Sequence, residues 1–329
     1  MSEPQPSASS QVPLLWQPDA LLGESFDQAK LGPATLVRHV PAGARPEPRA
    51  VVLHVHGYND YFHQAHLAHA FDRAGHAFYA VDLRAAGRSL RESQVPHFVG
   101  DLREQAADID EAARAVRELH PGLPLVVHAH STGGLTAAWW AHARRNTLPD
   151  GSYRGPDLLV LNSPFLDLPG TLFERTVGTV LLRIAAPASP HRVITSGPSV
   201  YATHLLAANG GRWEFDTRFK KPGGQPTLAL WMRAVRRVQW HLWVRGFRIP
   251  VPVLVARSDA SGPDRHDNPR LDEQDTVLDV EQIARRSRSL GADVTQLVVP
   301  GAVHDLSLSA DGPRTEYLGK LFAWLEERL

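Results

Sequence analysis

Val126-Val127-His128-Ala129-His130-Ser131-Thr132-Gly133-Gly134 runs an apolar, β-branched stretch directly into a serine set among small residues. Leu125 to His130 predicts a buried strand, and Leu135, Ala138, Trp139 and Ala143 then recur at the spacing of one helix face. A serine on so tight a strand-to-helix turn needs small residues two before and two after it, because the two backbones nearly touch there. Ala129 and Gly133 meet that demand, although the first carries a methyl group where the G-x-S-x-G pattern has glycine.

The same alternation extends outward in both directions. Ala50 to Val55 and Ala77 to Leu83 are strand runs upstream, each followed by an amphipathic segment with Leu67, Ala70, Phe71 and Ala74, then Ile109, Ala112, Ala113, Val116 and Leu119 on its apolar face. Downstream come Leu158 to Leu161, Val251 to Ala256 and Val294 to Val299, with helices bearing Val280, Ile283, Ala284 and Leu290, and finally Leu318, Leu321, Phe322, Leu325 and Leu329. Strands that are apolar throughout, alternating with helices, predict a mostly parallel, doubly wound α/β sheet covered on both faces. Residues 165–250 break the rhythm. This segment holds Pro169, Pro187, Pro190, Pro198, Pro222 and Pro226, and also Trp213, Trp231, Trp240 and Trp243. It is too long for an ordinary connection and too apolar for a linker, so it is expected to fold over the sheet as an inserted lid. The expected organisation is a disordered tail over 1–24, a first core part over 25–164, the lid over 165–250 and a second core part over 251–329.

Composition removes several function classes. Lysine plus arginine number 35 and aspartate plus glutamate 35, so no net basic field favours nucleic acid or an anionic membrane surface. There is no cysteine, hence no disulfide, thiolate metal site or cysteine nucleophile. Lysine occurs only at 30, 220, 221 and 320. No run approaches the roughly 18 apolar residues of a membrane span, and a soluble, cytoplasmic protein is expected.

A serine hydroxyl becomes a nucleophile only when a base takes its proton and a third group orients that base. Of 17 histidines, His304 stands in the turn after the last strand, in Pro300-Gly301-Ala302-Val303-His304-Asp305, at the carboxyl edge of the predicted sheet. Two acids are open to it. Asp259 follows its strand immediately, and Asp275 lies just before the next helix in Asp275-Thr276-Val277-Leu278-Asp279. Backbone N–H donors for an oxyanion are expected from Thr132, which follows the serine, and from Tyr58 in His56-Gly57-Tyr58-Asn59-Asp60, where Gly57 lets the backbone bend.

Together, His56-Gly57, Asp82-Leu83-Arg84-Ala85-Ala86-Gly87-Arg88-Ser89, His130-Ser131-Thr132-Gly133-Gly134, Asp275-Thr276-Val277-Leu278-Asp279 and Gly301-Ala302-Val303-His304-Asp305 resemble the α/β-hydrolase superfamily. The branch they resemble is that of the monoacylglycerol lipase and lysophospholipase-like serine hydrolases. The resemblance runs from about residue 49 to the C-terminus. It implies an α/β-hydrolase fold with a lid, Ser131 as nucleophile, His304 as base, Asp275 rather than Asp259 as acid, and Tyr58 and Thr132 as oxyanion donors. It implies a two-step acyl transfer on an ester, and no cofactor or metal is expected. The Trp-rich lid makes a small ester with a medium-sized hydrophobic acyl group the expected substrate, with Trp213 and Trp231 as its binding residues. No nucleic-acid partner and no stable membrane anchoring are expected, and the oligomeric state stays open. The rival readings are a serine aminopeptidase, which needs a lid carboxylate such as Glu214 or Asp216 for the substrate ammonium, an acyltransferase, and a metal-dependent hydrolase built on His54 and His56.

Overall fold

The computed structural model describes residues 14–43, 46–146, 154–170, 173–195 and 199–329. The strands are β1 (Gln17–Asp19), β2 (Gly23–Leu31), β3 (Ala34–His39), β4 (Val51–Val55), β5 (Ala77–Asp82), β6 (Leu125–His130), β7 (Leu158–Asn162), β8 (Val193–Thr195), β9 (Thr227–Leu228), β10 (Val253–Ser258) and β11 (Val294–Val299). The helices are α1 (Ala65–Arg73), α2 (Leu102–Leu119), α3 (Ser131–Ala143), α4 (Thr179–Ala185), α5 (Tyr201–Leu205), α6 (Ala229–Arg245), α7 (Val280–Ser287) and α8 (Asp311–Glu326).

Nine strands form one sheet in the order β1-β2-β3-β5-β4-β6-β7-β10-β11. From β5 to β11 every pairing is parallel. β1, β2 and β3 pair antiparallel and join that block through the antiparallel β3–β5 ladder. Alternate residues of one strand feed two cores, as the two-residue period of a strand requires. Leu53, Val127 and Leu161 pack with α2, α3 and α6, whereas Val52, Val126 and Val160 pack with α1 and α8 on the other face. The mostly parallel, doubly wound sheet expected from the alternation is present.

The expected disordered tail over 1–24 needs correction. Residues 1–13 lie outside the described residues, but β1 and the start of β2 already occupy 17–24. Phe26 and Ala29 are buried and Asp19 accepts from the N–H groups of Leu21 and Leu22, so burial and a turn order a segment whose polar composition suggests a tail. The stretch between β7 and β10 holds α4, the two-stranded β8–β9 sheet, α5 and α6, and α6 packs on α2 and α3. This stretch forms a cap. No helix among the described residues is long and apolar enough to cross a membrane.

Candidate active site

The turn between β6 and α3 places Ser131 at φ +53°. That left-handed conformation is rare for a residue with a side chain and lifts the hydroxyl off the sheet edge. The neighbours explain the small residues in the sequence. A Cβ on Gly133 would lie 2.1 Å from the His56 carbonyl oxygen, and one on Gly57 would lie 3.0 Å from Cβ of Ser131. Ala129 is fully buried in β6, so its methyl group is accommodated within the core.

Three loops at the carboxyl ends of β6, β10 and β11 bring the expected residues together. His304 Nε2 lies 3.0 Å from Ser131 Oγ, and His304 Nδ1 lies 2.9 Å from Asp275 Oδ2. Asp275 is fully buried, and its other oxygen accepts from the N–H groups of Val277 at 2.9 Å and Leu278 at 2.8 Å. That Asx-type turn fixes the carboxylate before α7. Asp259 is elsewhere engaged: its Oδ1 accepts from the Gly301 N–H at 3.0 Å and so steadies the loop that carries His304. Of the two acids left open by position along the chain, Asp275 is the one in contact with the imidazole.

Thr132 is the second residue of α3, where no carbonyl lies four residues back within the helix to accept its N–H. Tyr58 lies in the turn after β4, beside Gly57 and therefore beside Ser131. Both residues line a cavity of about 520 Å³ that also holds Ser131 and His304. Its apolar wall comes from Phe165, Pro169, Trp231, Met232, Val277 and Leu278. Trp231 is part of that wall, its ring tilted by 35° against Tyr58 with centroids 4.0 Å apart.

Trp213 is not. Its ring packs on His66 at 4.3 Å, its Nε1 donates to the Leu308 carbonyl and the Arg314 guanidinium lies over the ring at 5.0 Å, so it joins cap to core away from the cavity. Apolar size marked it in the sequence, but only the cap's path decides which tryptophan faces the site. Glu214 and Asp216 are also absent from the cavity wall, and Asp216 forms an ion pair with Arg218. His54 and His56 do not share a site. His54 Nδ1 pairs with His128 Nδ1 at 2.8 Å, whereas His56 Nε2 accepts from the Leu83 N–H and its Nδ1 bonds the Gly57 carbonyl. The ring of His128 continues to the Tyr317 hydroxyl, so these imidazoles serve as buried hydrogen-bond links.

A group the sequence reading passed over lies beside Ser131. Asp60, His63, His130, Lys220 and Asp305 are all buried, and polar atoms of Asp60, His130 and Asp305 fall within 4.8 Å of one another. Burial holds the His130 imidazole down at about 4. The signal available in the sequence was adjacency: His130 precedes Ser131 and Asp305 follows His304.

The family model for serine aminopeptidase S33 (Hydrolase_4) matches residues 46–309. No curated protein matches the chain in sequence. Among solved structures, the chain is similar to a soluble variant of monoglyceride lipase from Saccharomyces cerevisiae in complex with a substrate analog. The TM-score is 0.66, at 16% identity over 99% of each chain. It is also similar to monoacylglycerol lipase from Paleococcus ferrophilus, with TM-score 0.61 and 20% identity over 87% of this chain and 97% of that one. A thermostable carboxyl esterase from Bacillus coagulans in complex with glycerol gives TM-score 0.58 and 14% identity, over 96% and 98%. At these identities the likeness speaks for the fold. The family match covers most of the chain and spans every residue of the Ser131–His304–Asp275 group, so the chain belongs to the serine aminopeptidase S33 family and is a serine hydrolase with the α/β-hydrolase fold.

Proposed function

We propose that the protein hydrolyses carboxylic esters with a medium-sized hydrophobic acyl group through an acyl-enzyme on Ser131. The observation that carries this reading is one imidazole in contact with both the serine hydroxyl and a buried carboxylate, at 3.0 and 2.9 Å, within a partly apolar cavity. In this reading Ser131 Oγ attacks the ester carbonyl as His304 Nε2 accepts its proton. Asp275 keeps the other ring proton on Nδ1 and stabilises the imidazolium that forms. The N–H groups of Tyr58 and Thr132 receive the developing oxyanion, and His304 returns the proton to the departing alcohol. A water deprotonated by the same imidazole then releases the acid and restores Ser131.

The acyl chain is assigned to the wall formed by Phe165, Pro169, Trp231, Met232 and Leu278. Ester hydrolysis is favoured over aminopeptidase action because the cavity's carboxylates are already engaged. Asp60 faces Lys220 at 3.0 Å, and Asp264 accepts from the N–H groups of Val200 and Tyr201. Asp60 is thereby neutralised, and Asp264 Oδ1 is occupied by backbone donors. Rates on nitrophenyl esters from acetate to dodecanoate, beside aminoacyl nitroanilides, test the reading. A maximum at intermediate chain length with no anilide cleavage is expected; preferential anilide cleavage refutes it.

A further inference from the structure

Lys220 is the one lysine of the four that is buried, and it belongs to the cap. Its ammonium lies 3.0 Å from Asp60 Oδ1 and 3.3 Å from His63 Nε2, in contact with a carboxylate and an imidazole nitrogen of the core. Burial, the largest single influence, would raise the Asp60 carboxyl, but the adjacent Lys220 charge together with His63 and His130 outweighs it and holds the group well below the usual carboxylate range. The need for that cation is plain from the surroundings. Asp305 lies close by, itself held by Asn162 Nδ2 at 2.7 Å, Gln64 Nε2 at 3.2 Å and Ser307 Oγ at 2.7 Å. Among the described residues no other lysine or arginine forms an ion pair with Asp60 or Asp305.

The contact matters because of where Asp60 sits. It is two residues from Tyr58, in a turn whose Asn59 is held at φ +52°. The same cap segment grips that turn at several points. The Asn59 amide exchanges bonds of 2.9 Å with both the N–H and the carbonyl of Lys221, the Tyr58 hydroxyl donates to the Pro226 carbonyl at 2.8 Å, and the Asp216 N–H donates to the Tyr61 hydroxyl at 2.8 Å. The backbone that would aim the Tyr58 N–H is therefore set by the cap as well as by the sheet.

We propose that Lys220 is a positioning residue: by neutralising Asp60 it holds the 58–60 turn in register, so that the cap completes the oxyanion site and does more than cover the substrate. This rests on the serine ester hydrolase reading above. Displacing a backbone donor by about 1 Å costs up to about 100-fold in rate, and an interaction made only in the transition state appears in kcat.

The test compares Lys220→Met, Asp60→Asn/Lys220→Met and Ser131→Ala on nitrophenyl butyrate, with binding of a trifluoromethyl ketone as a mimic of the oxyanion. Lys220→Met is expected to lower kcat about 10- to 100-fold with KM within about threefold, and to weaken the ketone in proportion to kcat. The double variant, which removes the stranded charge, is expected to recover part of the loss. If Lys220→Met does not fold, Lys220→Gln, which retains a donor, is held to the same outcomes. An unchanged kcat, a rise in KM alone, or a double variant no more active than the single one overturns the proposal. Activity surviving in Ser131→Ala instead overturns the reading on which it rests, whatever Lys220 does.

Discussion

In the proposed mechanism Ser131, His304 and Asp275 act in series, and substitutions separate their parts. Ser131→Ala and His304→Ala are each expected to lower kcat by at least about 10⁴-fold while leaving the thermal midpoint nearly unchanged. Asp275→Asn retains the shape but allows the wrong ring nitrogen to carry the proton, and should cost about 10³- to 10⁴-fold. Asp259→Asn, at a side chain that bonds the Gly301 N–H and the Ser258 hydroxyl rather than the imidazole, should leave most of kcat intact. Steady-state kinetics on nitrophenyl butyrate check all four; equal losses from Asp259 and Asp275 would contradict the assignment. At this scale the sequence was highly legible for the serine and the histidine, because turn chemistry and position after a strand are local. It was ambiguous for the acid, because six aspartates fall in the stretch from Asp259 through Asp279 and only their side-chain directions distinguish them.

The β6–α3 element stores the strain that presents the serine. A residue with a side chain at φ +53° costs on the order of 1–3 kcal/mol, and the packed strand and helix on either side hold it there. Gly133 permits their approach, since a Cβ would lie 2.1 Å from the His56 carbonyl oxygen. Gly133→Ala should therefore destabilise the protein by about 1–3 kcal/mol or more and displace the β4 turn, lowering both the unfolding midpoint and kcat. Ala129→Gly restores the residue found in G-x-S-x-G but weakens a strand interior, so it should cost about 0.5–1 kcal/mol with kcat preserved. Denaturant unfolding and initial rates measure both. The six strands of the parallel block and their helices were readable from apolar periodicity. β1 to β3 were not: Gly23–Leu31 mixes exposed polar residues with Phe26 and Ala29, and its order comes from pairing with β3.

Over the whole molecule, buried histidines couple stability to pH. His66, His97, His128 and His130 are each brought to about 4 from an ordinary 6.5, burial being the largest cause in every case. A folded-state value depressed below the unfolded one means that the unfolded chain takes up protons first as pH falls. Their stabilisation is thus complete above about pH 6.5 and is lost progressively toward pH 4. Thermal midpoints should be flat from pH 7 to 8 and drop steeply below pH 6; a midpoint constant from pH 8 to 4.5 would refute this. Cap and core also meet at this scale, through Lys220, Asn59 and Trp213, and none of these contacts follows a periodicity.

The amino-acid sequence by itself determined the doubly wound sheet, the turn that carries Ser131 and the placement of His304 at the same sheet edge. Those depend on local pattern and on the order of strands along the chain. Only the tertiary structure decided that Asp275 meets the imidazole, that Trp231 and not Trp213 faces the cavity, and that Lys220 answers Asp60. The reason is physical: each is a contact between segments 29 to 173 residues apart or within a cap of irregular path, where burial and direction, absent from any local pattern, select the partner.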